Sequence, residues 1–137
     1  MMKRLLRLLR DRRGAGAAEF AMVLPAFVLL LVGIAQLGVV FFANAGLHNA
    51  LAEGAREATL FPRPTTQQIT DKIAASRFGL DPEKLDAPVV IYGSTAGAEF
   101  AEITMRYNVT LDFIFFDIPP ITLEEQRRVF LQPLPAE

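Results

Sequence analysis

The sequence predicts a membrane-anchored α+β protein. A long, kinked N-terminal helix, first membrane-embedded and then exported, packs on a small antiparallel β-sheet, with a short second helix beside it. Three observations carry the prediction. From Phe20 to Ala52 there is no Asp, Glu, Lys or Arg. The 23 residues Phe20–Phe42 of that stretch are long enough, at about 1.5 Å per residue, to cross a hydrocarbon core of roughly 30 Å. Finally, Ile103, Met105, Tyr107, Val109, Leu111 and Phe113 alternate with Thr104, Arg106, Asn108, Thr110 and Asp112, the period of a half-buried strand.

Four segments follow in order: a basic leader (1–14), a transmembrane helix (15–45), its exported extension (46–61) and a small α+β exported domain (62–137). The leader holds six cations (Lys3, Arg4, Arg7, Arg10, Arg12, Arg13) against one acid, Asp11. Such an excess keeps the N-terminus in the cytoplasm and sends everything after about Asn44 outside. Its leucines (Leu5, Leu6, Leu8, Leu9) also suit an amphipathic turn on the inner leaflet. One helix is expected from Ala15 to about Leu60. Pro25 interrupts it, because its ring removes a backbone donor and crowds the carbonyl of Ala21, so a kink is expected there.

Beyond the apolar run the helix becomes amphipathic. Leu47, Leu51, Gly54 and Ala58 form one stripe, while Asn49, Glu53 and Arg56 occupy another face. Glu53 and Arg56, three apart, can pair weakly. Pro62 and Pro64 end the helix. Thr65 and Gln68 have capping-box spacing and open a second helix through about Phe78, with Ile69 and Ile73 on its buried side and Gly79 as its stop. Asp81-Pro82 starts a turn. Val89–Tyr92 and the alternating strand suit an antiparallel hairpin over the Gly93–Gly97 loop. After Pro119-Pro120, Ile121–Leu131 reads as a third strand, and Pro133–Glu137 as a frayed tail.

Composition narrows the function classes. Removing the leader takes six of the 14 Lys+Arg and one of the 15 Asp+Glu, leaving 8 cations against 14 anions, a net of −6. An acidic exported domain does not point to nucleic acid. No cysteine is present, so neither disulfides nor thiol chemistry can contribute. Catalysis is disfavoured, since the single histidine, His48, has no acid–base or nucleophilic constellation near it in sequence. No phosphate loop or zinc spacing occurs, and no cofactor is implied. Asp81, Glu83 and Asp86 read as a solvated loop, and the Asn108-Val-Thr110 sequon falls inside a strand.

The junction at residues 14–19, Gly-Ala-Gly-Ala-Ala-Glu, is the informative site. Gly14 is a small residue directly after the arginines, suited to a peptidase at the cytoplasmic membrane face. Cleavage there would expose a new amine on Ala15. Glu19 would then lie one helical turn away, a lone carboxylate at the lip of an apolar helix, where ionisable groups are costly. In packed helices that carboxylate could pair with a neighbour's amine and set the axial register; alternatively it snorkels at the headgroup boundary.

Gly14-x-x-x-x-Glu19-Phe20 resembles the prepilin processing motif. The run Arg13-Gly14-Ala-Gly-Ala-Ala-Glu19-Phe20-Ala21-Met-Val-Leu24-Pro25 is similar to the start of TadE-like proteins, pseudopilins of tight-adherence (Flp) pilus systems. Gly33-Ile34-Ala35-Gln36-Leu37-Gly38 and Ala52-Glu53-Gly54-Ala55-Arg56 fit the same pattern. The resemblance implies cleavage after Gly14 by a prepilin peptidase, insertion in the cytoplasmic membrane with the C-terminal domain on the periplasmic side, and a role as a minor pilin or assembly factor. Its implied partners are the peptidase, other pilins and the inner-membrane assembly platform. Two positions depart from the pattern. Gln36 stands where an acid is frequent, and offers a hydrogen bond across helices instead of a second charge pair. Val39 stands where an arginine often follows the glycine.

Two other readings remain at this point. Ala43-Asn44-Ala45 resembles an ordinary signal-peptidase site that would release a soluble binding domain starting at Gly46, although the apolar run exceeds the usual signal length of about 7–15 residues. A permanently membrane-anchored scaffold outside any filament also remains open, because processing and polymerisation are separate events.

Overall fold

The computed structural model describes residues 14–113 and 116–132; the expectations for the basic leader and for a frayed tail at Pro133–Glu137 lie outside the described residues. The fold is α+β, with a long N-terminal helix, a short second helix and a three-stranded antiparallel sheet. Two compact units divide the chain, one up to Gln36 and the other from Leu37 onward.

Helix α1, Ala15–Ala58, is continuous for 44 residues with Pro25 inside it. It stops two residues before the expected Leu60. There the backbone tightens: Thr59 and Leu60 donate to the carbonyls of Arg56 and Glu57 three residues back, and the Thr59 hydroxyl also donates to Arg56 at 2.7 Å. These bonds satisfy carbonyls that a helix end leaves without partners.

Helix α2, Thr66–Ala75, starts from the capping box that the sequence predicts. The Thr65 hydroxyl accepts from the Gln68 amide, and the Gln68 side chain accepts from the Thr65 amide at 2.8 Å. It ends earlier than Phe78, because Ser76 closes it by donating to the carbonyls of Lys72 and Ile73. Gly79 is therefore not the stop. Its positive φ of 72° serves the following turn, which leads to a single 3₁₀ turn at Pro82–Lys84 capped by the Asp81 carboxylate.

Strands β1 (Val89–Thr95), β2 (Ala98–Val109) and β5 (Ile121–Phe130) form the sheet in the order β1-β2-β5. The β1–β2 hairpin closes more tightly than a five-residue loop. Only Ala96 and Gly97 separate the strands, both at positive φ (51° and 83°), the sign that a twist-matched two-residue turn requires. β2 stops at Val109, short of the Phe113 where the alternation ends. A small second pairing follows, β3 (Asp112–Phe113) with β4 (Phe116–Asp117). Leu111 still packs against the core. Alternation thus reports which face a residue takes, and it outlasts the hydrogen-bonded ladder by two residues.

The core of the second unit joins α1, α2 and the sheet. Ala43, Leu47, Ala50, Leu51, Ala55 and Ala58 from α1 meet Ile69 and Ile73 from α2 and Ala101, Ile103, Met105, Tyr107 and Val109 from β2. The small side chains of α1 bring its backbone close. A Cβ at Gly54 would overlap Ile73 and lie 3.8 Å from Ile103 Cδ1. Toward the other end of β2, the Tyr107 hydroxyl accepts from the Asp81 amide at 3.3 Å, and a Cβ at Gly46 would lie 3.2 Å from Leu80 Cγ. β2 therefore runs antiparallel to α1, its C-terminal end facing the Ala43–Gly46 region.

Candidate functional site

The sequence-predicted site residues fall along the first half of α1. Gly14 precedes the helix, and its carbonyl accepts the first intrahelical bond, from Ala18 at 3.0 Å. Ala15 is the first helical residue. Glu19 follows four positions later, which on a helix is the same face one turn on. It is exposed and has no ion-pair partner among the described residues. Pro25 lies within the unbroken helical span. Gln36 is half-buried and already engaged in an interaction. The structure brings none of these residues into contact with a catalytic-type cluster, and among the described residues no three His, Cys, Asp or Glu side chains are arranged to hold a metal.

What surrounds them is apolar surface. Phe20, Met22, Val23, Phe27, Leu30, Leu31 and Ile34 are each at least half exposed. Within α1 the span Gly16–Ala58 includes a window long and apolar enough to cross a membrane, and only 6% of that window is covered by the protein itself. A contiguous apolar surface of this extent needs lipid or other protein against it.

The outer face of the sheet carries charge pairs of a structural kind. Arg106 Nε donates to Glu124 at 2.9 Å and Arg128 Nε to Glu102 at 2.8 Å, each across the β2–β5 register. Arg128 also lies 4.4 Å over the Phe100 ring. The hydrogen bond from Arg106 holds the Glu124 carboxyl below its ordinary value, and Arg63 does the same to Glu99. A carboxyl with a lowered folded-state pKa stabilises above its unfolded pKa and loses that contribution as pH falls. Both pairs are solvent-exposed, so the effect is small. His48, isolated in sequence, sits with Nε2 3.2 Å from Glu125 on the sheet's inward face. The sequon residue Asn108 accepts from the Thr122 hydroxyl at 2.7 Å. As expected, Glu53 and Arg56 pair weakly, at 3.4 Å.

Sequence reasoning missed the contacts that tie the turn after α2 to α1. Asn49 Nδ2 donates to the Ser76 carbonyl at 3.2 Å, and the Phe42 and Phe78 rings meet edge-to-face at 5.8 Å. These partners are 27 and 36 positions apart, and no local pattern encodes them.

A single long apolar helix, bearing an acid at its head and running into a small α+β domain, is the layout of a helix-anchored protein. Residues 14–56 match the family described as TadE-like protein. The matched segment begins at the glycine before α1 and ends two residues before that helix stops. Together with the apolar helix it fits a membrane-anchored protein. No curated protein and no solved structure matches the chain.

Proposed function

We propose that this protein is a minor pilin of a tight-adherence pilus, cut after Gly14 by a prepilin peptidase. It resides in the cytoplasmic membrane with its N-terminus inside and its α+β domain on the periplasmic side. The observation that carries this reading is the placement of Gly14 and Glu19 at the head of an apolar helix. Cleavage would make Ala15 the new N-terminus. When such helices pack side by side among apolar neighbours, an unpaired Glu19 is strongly disfavoured, and the amine of an adjacent subunit is its natural counter-charge. The pair would fix how far one subunit is displaced along the next. Pro25 would kink the helix one turn and a half beyond it. Gln36 would contribute a cross-helix hydrogen bond worth about 1 kcal/mol.

Release of a soluble domain by cleavage after Ala45 fits the packing less well. It would strip Ala43, only 4% exposed, and the partly buried Val40 from the domain's core.

Replacing Glu19 tests the pairing. In a Glu19→Val strain the protein is expected to be processed and membrane-inserted normally, while pilus assembly falls sharply. The Glu19→Asp strain should retain part of it, since the charge remains. Full piliation in the valine strain would remove the carboxylate's role in register and favour an anchored scaffold outside the filament.

A further inference from the structure

We infer that the turn at residues 76–80 docks the exported domain on the outer leaflet, with Phe78 inserted among acyl chains and Arg77 beside the lipid phosphates. This rests on the reading that α1 spans the membrane, and it adds a second, separate membrane contact made by the domain itself.

The turn is held against α1 at four places. Asn49 Nδ2 donates to the Ser76 carbonyl at 3.2 Å. The backbone at Phe78 and the Leu80 side chain press on Gly46, where no Cβ would fit. Gly79, at φ 72°, lies flush on the Phe42 ring, where any side chain would collide. The Phe42 and Phe78 rings then meet edge-to-face at 5.8 Å and 67°. Leu80 is buried at 7%, yet Phe78 two residues earlier is 73% exposed. Phe78 does not stand alone there: its ring joins the exposed Phe42, so the two extend one apolar patch.

The level of the turn indicates which medium. Phe42 closes the apolar run, whose 23 residues from Phe20 are of the length that crosses a hydrocarbon core of roughly 30 Å at about 1.5 Å per residue. Phe42 thus stands at the outer boundary of the core, and Phe78 packs on it at the same depth. Phe41, Phe42 and Leu37 continue the apolar surface, each more than half exposed. Arg77 has no ion-pair partner among the described residues, and a guanidinium suits phosphate in geometry and charge. Asp81, the nearest acid in the turn, is occupied in capping the 3₁₀ turn, accepting from the Glu83 amide at 3.0 Å. An arginine at this level can lay its stem on apolar surface while its head reaches the phosphates.

The chain contains no tryptophan, so each introduced one reports alone. Full-length Phe78→Trp, Ile34→Trp and Ile91→Trp proteins are placed in vesicles of phosphatidylethanolamine and phosphatidylglycerol, with and without brominated acyl chains. Ile34 lies within the span and Ile91 on β1. The inference expects Phe78→Trp emission to be blue-shifted relative to Ile91→Trp and to lose intensity with brominated lipid, as Ile34→Trp does. Quenching of Ile34→Trp but not of Phe78→Trp would overturn the docking while leaving the spanning helix intact; the exposed aromatics would then await a neighbouring subunit. Quenching of neither would remove the spanning reading and the docking with it.

Discussion

Full-length Gly54→Leu protein is expected to melt well below the wild type. Two effects of opposite sign compete. Glycine inside a helix costs about 0.8–1.0 kcal/mol relative to alanine, so leucine should gain most of that by propensity. Against it stands the crossing of α1 over α2, where even a Cβ at position 54 would overlap Ile73, with Ile73 Cδ1 only 2.7 Å away. Ile73 is fully buried, and Ile103 Cδ1 lies 3.8 Å from the same point, so any shift of Ile73 disturbs packed neighbours. Overpacking of a close-packed core costs typically about 1–3 kcal/mol, before the larger volume of leucine is considered. The steric term wins, and each net 1 kcal/mol should lower the midpoint by roughly 4–8 °C in a domain of this size. Gly38→Leu is the matched control, since nothing approaches its Cβ position within 4 Å; its melting in detergent should be unchanged or slightly raised. A Gly54→Leu melting curve that superimposes on the wild type would show that the α1–α2 contact is looser than described.

The second large effect is all-or-none. Gly14→Val is expected to leave the leader attached, because a branched side chain replaces the small residue next to the bond to be cut. The intact mass of the membrane-bound form should then equal that of the full chain. Since the amine on Ala15 is never liberated, the Glu19 partner is missing too. The account therefore expects the Gly14→Val strain to share the assembly defect of Glu19→Val, although its Glu19 is intact. Normal processing of the valine variant would mean that the cut lies elsewhere.

Much of the fold was legible because the deciding interactions are local. The capping box needs only Thr65 and Gln68, and it forms as written. The stripe Leu47, Leu51, Gly54 and Ala58 is buried as its spacing requires, because helical period alone selects the face. Strand β2 obeys the same logic with period two. What sequence could not deliver is set by partners far along the chain. The helix stops at Ala58 and Ala75 depend on backbone bonds in the following turns. Arg63 finds Glu99, 36 positions on, and His48 finds Glu125 through a sheet register that no single strand encodes. At the junction, the spacing of Gly14 and Glu19 was readable at once. The counter-charge of Glu19, an amine freed by the cut, could be named from the same residues, but on the present account it belongs to another copy or another pilin and no single chain displays the pair.

The mature N-terminus is the most direct test of that account. Intact mass and N-terminal sequencing of the wild-type protein, recovered from membranes of cells containing the peptidase, should give a chain beginning at Ala15. A chain that keeps its leader, or one that begins at Gly46, would contradict it.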